Sequence, residues 1–167
     1  MGSSAGIPKP ALGALRLLTK LGDYFLFSGD GCFATRSSNS VQIVLYNYCH
    51  YHALYRHHFS TSTEEASQHV YDNFVEGTDL EFHLQVTGLN SGRYELRRYS
   101  ISRQCGSPFD FWQSMGAPLR LNEEEFEFLR HAADPAYQVS QLQTEGSVTL
   151  HATVAPHEVQ VLVLSLH

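Results

Sequence analysis

Gly106-Ser107-Pro108-Phe109-Asp110-Phe111-Trp112-Gln113-Ser114-Met115-Gly116-Ala117-Pro118 spells out a short helix with both of its ends marked. Ser107 can cap, Pro108 suits the first helical position, Asp110 stands where a capping-box partner belongs, and Gly116 followed by Pro118 ends the turn. The stretch holds the chain's only tryptophan. A second helix follows, with Asn122 as cap, Glu125 at the capping-box position and Phe126, Leu129 and Ala133 on its inner face. Glu123, Glu124 and Glu125 lie at its positive end, where the helix dipole gives them a structural role.

Outside this helical insert, about residues 107–133, the patterns are those of strands. Leu80, Phe82, Leu84 and Val86 alternate with Glu81, His83, Gln85 and Thr87, the signature of a strand with one wet face. Tyr24–Ser28 and Cys32–Thr35 flank Gly29-Asp30-Gly31, a hairpin turn. Val41–Tyr48 is apolar on both faces apart from Gln42 and Asn47, as expected of a central strand between packed layers. Asn90-Ser91-Gly92 turns into a strand whose apolar phase slips from Tyr94 and Leu96 to Tyr99 and Ile101. That slip predicts a β-bulge near Arg97-Arg98. Residues 137–143, 148–154 and 159–166 complete about eight strands, so the expected fold is mainly β, an antiparallel β-sandwich with an N-terminal helix and two short helical inserts.

Between Pro10 and Leu21 the residues Ala11, Ala14, Leu15, Leu18 and Leu21 form a helical stripe, and Leu12 and Leu17 add a second apolar face. A helix with two apolar faces expects cover on both sides. Left uncovered, it would let two copies associate, and its place so near Met1 suggests a lost partner.

Composition narrows the field. Of 167 residues, 43% are hydrophobic and 17% charged, enough apolar content for a sizeable core. The net charge is −6 and Arg97-Arg98 is the only adjacent basic pair, so direct nucleic-acid contact is not expected. No stretch approaches the roughly twenty apolar residues of a membrane span, and the first residues lack an export signal's pattern. Cys32, Cys49 and Cys105 are odd in number and widely spaced, and read as buried thiols of a cytoplasmic protein.

The constellations that could carry chemistry are few. Cys49-His50-Tyr51-His52 with His57-His58 has the residue types for zinc, but no second spaced pair completes a usual signature, so no metal is expected. No nucleophile elbow or phosphate-cradling glycine turn appears. The carboxylates fall at helix starts or on wet strand faces, whereas a glycosidase needs two of them facing across a cleft. No catalytic residue and no cofactor is assigned. Exposed aromatics remain, because sugars stack on such rings. Trp112, with Phe109 and Phe111, is expected to be buried under its own helix.

Taken in order, Gly6-Ile7-Pro8-Lys9-Pro10-Ala11, Tyr46-Asn47-Tyr48-Cys49-His50, Gly92-Arg93-Tyr94, the Trp112 helix with Asp110, Gly116 and Pro118, and Ala155-Pro156-His157-Glu158-Val159 resemble the C-terminal part of glycoside hydrolase family 39 β-xylosidases. The resemblance implies a catalytic (β/α)8 barrel followed by a β-sandwich, with the acid/base and nucleophile glutamates on barrel strands and retaining hydrolysis as the chemistry. A barrel takes about 250 residues, and the Asn-Glu-Pro sequence expected around the acid/base is absent. On this reading residues 1–21 are a leader and the last barrel helix, and 22–167 are an accessory sandwich. Its partner is the barrel of the same parent chain. Because family sandwich loops can border the active-site mouth, Tyr48, His50, Tyr51, His52 and Tyr55 become the sugar-contact candidates, with a xylo-oligosaccharide as ligand. Similar modules fused to AraC-type regulators, where they would sense sugar, resemble the 46–58 and 93–118 segments at least as well, and an independent carbohydrate-binding module is a further alternative.

Overall fold

The computed structural model describes residues 6–53 and 70–167. Eight strands form two antiparallel layers: β1 (Tyr24–Gly29), β2 (Cys32–Arg36), β3 (Ser40–Tyr46), β4 (Leu80–Thr87), β5 (Gly92–Ile101), β6 (Ala136–Thr144), β7 (Ser147–Val154) and β8 (Val159–Leu166). Six of them make one sheet in the order β1-β2-β3-β8-β5-β6, and β4 pairs with β7 in a second, smaller one. The sandwich is thus mainly β and antiparallel, as the alternation implied, but its two layers are unequal.

Between the layers lies the main core, with Ile43, Leu45, Tyr94, Leu96, Leu150, Val154, Leu162 and Leu164 all buried. Phe82, Leu84 and Val86 close it from the alternating face of β4. The opposite face of the large sheet carries helix α1 (Pro10–Leu18), which packs Leu17 against Val44, Ile101 and Val161. Strands β3 and β8 are apolar on both faces because one face meets β4–β7 and the other meets α1.

The same two-sided cover explains why no bulge forms at Arg97-Arg98. Strand β5 runs in unbroken register against both β6 and β8. Tyr94 and Leu96 enter the main core, whereas Tyr99 and Ile101 belong to the face under α1, so the phase slip marks a change of partner layer. The register irregularity that does occur lies in β1, between Phe25 and Phe27.

Helix α1 also settles differently from its expected stripe. Ala14, Leu17, Leu18 and Leu21 face the sheet, with Gly13 against Ile101, while Ala11, Leu12 and Leu15 point away. The third strand stops at Tyr46, two residues short of the expected Tyr48. Asn47 then leaves the sheet, donating from its amide to the carbonyls of Thr78 and Val154 and tying the two layers together.

Candidate functional site

The helical insert links β5 to β6 through α2 (Pro108–Ser114) and α3 (Glu123–His131). The ends of α2 follow the sequence. Ser107 Oγ accepts from the Asp110 amide, and Pro108 opens the helix. Gly116 adopts φ +88°, its amide donates to the Gln113 carbonyl, and the Ala117 amide donates to that of Trp112. These two bonds form a Schellman closure. Helix α3 has its full capping box, Asn122 with Glu125 at 2.8 Å in both directions, and buries Leu129.

Asp110 does more than sit in the first turn. Its carboxylate accepts from the Ser107 hydroxyl, from the Tyr71 phenol at 2.8 Å and from Arg103 Nε at 3.2 Å. The Arg103 guanidinium lies 3.7 Å from the Tyr71 ring centroid, a cation–π contact. His157, in the turn between β7 and β8, packs its ring against Tyr71 and Phe74. Burial, followed by the charge of Arg103, pushes the His157 imidazole below its ordinary range, although Asp110 opposes the shift. Burial, then the hydrogen bond and charge of Asp110, raises the Tyr71 phenol well above its usual value, against a smaller opposing effect of Arg103. The group thus brings together a guanidinium, a carboxylate, a phenol and an imidazole. It joins the end of β5, α2, the 3₁₀ turn at Val70–Asn73 and the β7–β8 turn.

Ring contacts continue from this group in both directions. Tyr51 stacks on Phe74 at 4.3 Å, Phe74 meets His157 at 4.6 Å, and Tyr71 reaches Trp112 through Phe109. The aromatic chain thus joins the loop after β3 to the tryptophan helix. Trp112 is half-buried, donates from its indole to the Pro118 carbonyl at 3.0 Å, and helps line a cavity of about 280 Å³ with Ile7, Pro8, Phe109 and Leu129.

Among the sugar-contact candidates, Tyr48 and Tyr51 are 64% and 48% exposed, and His50 and His52 are exposed beside them. Tyr48 and His50 meet edge to face at 4.9 Å. The backbone of 50–52 pairs with 73–75, which fixes this loop against the aromatic chain. Tyr55, His57 and His58 lie outside the described residues. Tyr71, Arg103 and Phe74 were not singled out from the sequence, because nothing in their spacing announces a contact with Asp110 or Tyr51.

Several carboxylates are engaged locally: Asp110 accepts three side-chain donors, Glu95 pairs with Arg97, Glu158 accepts from the Ala155 amide and from Gln160, and Glu81 accepts from Thr153 on the outer face of β4. Among the described residues, no group of three or more His, Cys, Asp or Glu side chains is placed to hold a metal ion. No helix among them is long and apolar enough to cross a membrane. Cys32 and Cys49 are buried, but Cys105 is only half-buried, so one of the three expected buried thiols is less covered than the others.

Comparison with known proteins agrees with the architecture. A monomeric β-xylosidase from Caulobacter crescentus CB15 superimposes with a TM-score of 0.74 at 22% identity, over 96% of this chain and 31% of that one. The GH39 enzyme from Xanthomonas axonopodis pv. citri gives the same TM-score at 19% identity and the same coverage. An uncharacterized HTH-type transcriptional regulator of Staphylococcus aureus (strain COL) is 18% identical over 155 residues, 92% of this chain and 19% of that protein. The chain therefore spans about a third of the solved enzymes and a fifth of the curated relatives. Residues 2–149 match the model of glycosyl hydrolases family 39, and the chain belongs to that family.

Proposed function

We propose that this chain is a non-catalytic accessory β-sandwich of a family 39 β-xylosidase-like protein, which braces a (β/α)8 barrel and covers that barrel's last helix. The observation that carries the reading is the division of α1. One stripe of the helix is sealed onto the sheet, while Leu12 and Leu15 on its other side are 43% and 62% exposed. They line a groove of about 820 Å³ that runs to Arg130 and His131 of α3. Apolar side chains held out on a well-fixed helix suit a packed interface better than solvent.

The aromatic chain ends on an edge where Tyr48, His50, Tyr51 and His52 are exposed, and on this reading they border the barrel's mouth and contact its sugar. A second reading, the sugar-sensing part of an AraC-type regulator, is supported by the Staphylococcus relatives, whose similarity extends over nearly the whole chain.

Light scattering and dye binding test the interface. The wild-type chain is expected to self-associate with rising concentration and to bind an apolar fluorophore. Leu12→Glu with Leu15→Glu should abolish both while leaving the melting temperature within a few degrees. A wild-type chain that stays monomeric and dye-silent at high concentration would contradict the reading.

A further inference from the structure

The outer face of β5 and β6, beginning at the margin of α1, carries a second arrangement suited to a ligand. Tyr94 and Leu96 point into the core, so Glu95, Arg97 and Tyr99 stand on the opposite face. Register places Gln141 beside Glu95, Val139 beside Arg97 and Tyr137 beside Tyr99. Side chains directly opposite on antiparallel strands have Cβ atoms about 5 Å apart, so these six form one continuous patch. Tyr99 and Tyr137 pair at 5.0 Å with 35° between their planes, and Tyr137 is 55% exposed. On the α1 side, Lys20 Nζ lies 4.3 Å from the Tyr99 ring and fixes the pair's inner flank. Arg97 is held by its ion pair with Glu95, and Gln141 is exposed next to them.

This face is neither an apolar docking patch nor a basic stripe. It offers one open aromatic ring, the exposed Val139 beside it, and then three planar polar groups, a guanidinium, a carboxylate and a carboxamide. A pyranose has the complementary surface, with C–H bonds on one face for the ring and vicinal hydroxyls around its edge for forked donors and acceptors. We propose that the β5–β6 face is an oligosaccharide-binding platform on which Tyr137 stacks a sugar ring and Arg97, Glu95 and Gln141 take the hydroxyls of the neighbouring unit. This goes beyond the bracing role and does not depend on it, since the platform lies on different residues from Leu12, Leu15 and the loop tyrosines.

The test is calorimetric titration of the whole chain with xylohexaose as probe, together with amide-shift mapping. Binding should be saturable and weak, and shifts should centre on 95–99 and 137–141. Tyr137→Ala should weaken binding about tenfold, Tyr137→Phe should retain it, and Tyr48→Ala or Tyr51→Ala should leave it unchanged, with all variants keeping the wild-type circular dichroism. An absence of saturable binding up to about 10 mM sugar would overturn the platform. So would binding that survives Tyr137→Ala but is lost with Tyr51→Ala. Neither result bears on the self-association expected of the α1 face, so the two readings fail separately.

Discussion

Tyr71 donates its phenolic proton to Asp110, thirty-nine residues further along the chain, at 2.8 Å. The carboxylate also takes Arg103 and the Ser107 hydroxyl. A residue that looks like a helix-start ornament is thereby the joint at which the helical insert is fixed to the sandwich. Its side chain is only 11% exposed, so these bonds are poorly replaced by water.

Removing the acceptor should therefore cost more than removing one donor. Asp110→Ala is expected to destabilise by roughly 2 kcal/mol, since it leaves a half-buried phenol without its acceptor and frees Arg103. Tyr71→Phe should cost about 1 kcal/mol. A double-mutant cycle by urea denaturation should show the two to be non-additive, as expected of residues in direct contact. Additive losses would mean that the bond contributes nothing to stability.

Acidity should be felt through His157. Its folded pKa is depressed, so the unfolded chain binds the proton more readily and stability must fall as pH drops. The contribution is fully present above the unfolded value of about 6.5 and is lost as pH falls through it toward the folded value. His157→Asn, which tolerates the residue's φ of +62°, should flatten this segment of the stability profile. An unchanged acid slope in the variant would assign the effect to other groups.

Glycine substitutions separate contact from conformation. A Cβ at Gly22 would lie 2.2 Å from the Arg36 carbonyl carbon, where backbone blocks any relief. Gly22→Ala should lower stability by more than about 2 kcal/mol. Gly88 has φ +73° but open space around it, so Gly88→Ala should cost only about 1 kcal/mol. Thermal melts of both would show equal losses if the packing of the segment before β1 against the end of β2 were unimportant.

Thiol chemistry should follow burial. Cys105 lies partly open, whereas Cys32 and Cys49 are 5% exposed and burial pushes the Cys32 thiol up. A chromogenic disulfide reagent is expected to titrate one thiol quickly in the native chain and three in denaturant. Rapid reaction of all three in the native state would contradict the described core.

What was legible in the sequence was local or periodic. The caps of α2 and α3 depend on residues three or four apart, and the alternation of β4 reports its one wet face directly. The apparent bulge at Arg97-Arg98 shows the limit. A slip in apolar phase can mean an extra residue or a change of covering layer, and only the position of α1 decides between them. The helix stripe held in part: Ala14, Leu18 and Leu21 seat on the sheet, but Leu17 joins them in place of Ala11 and Leu15, with Gly13 close against Ile101. The site was half legible. Tyr48, His50, Tyr51 and His52 do fall together on one loop, and Asp110 was marked as special, but the partners that join them come from segments brought near only by strand pairing.

The most direct test of the account is hydrolysis of a chromogenic β-xyloside by the purified chain, followed across its elution peak. The account predicts no turnover above a buffer blank, because the proposed reading places the catalytic glutamates in the barrel and none in this chain. Turnover that co-elutes with the chain and disappears on mutation of one of its own glutamates would contradict it.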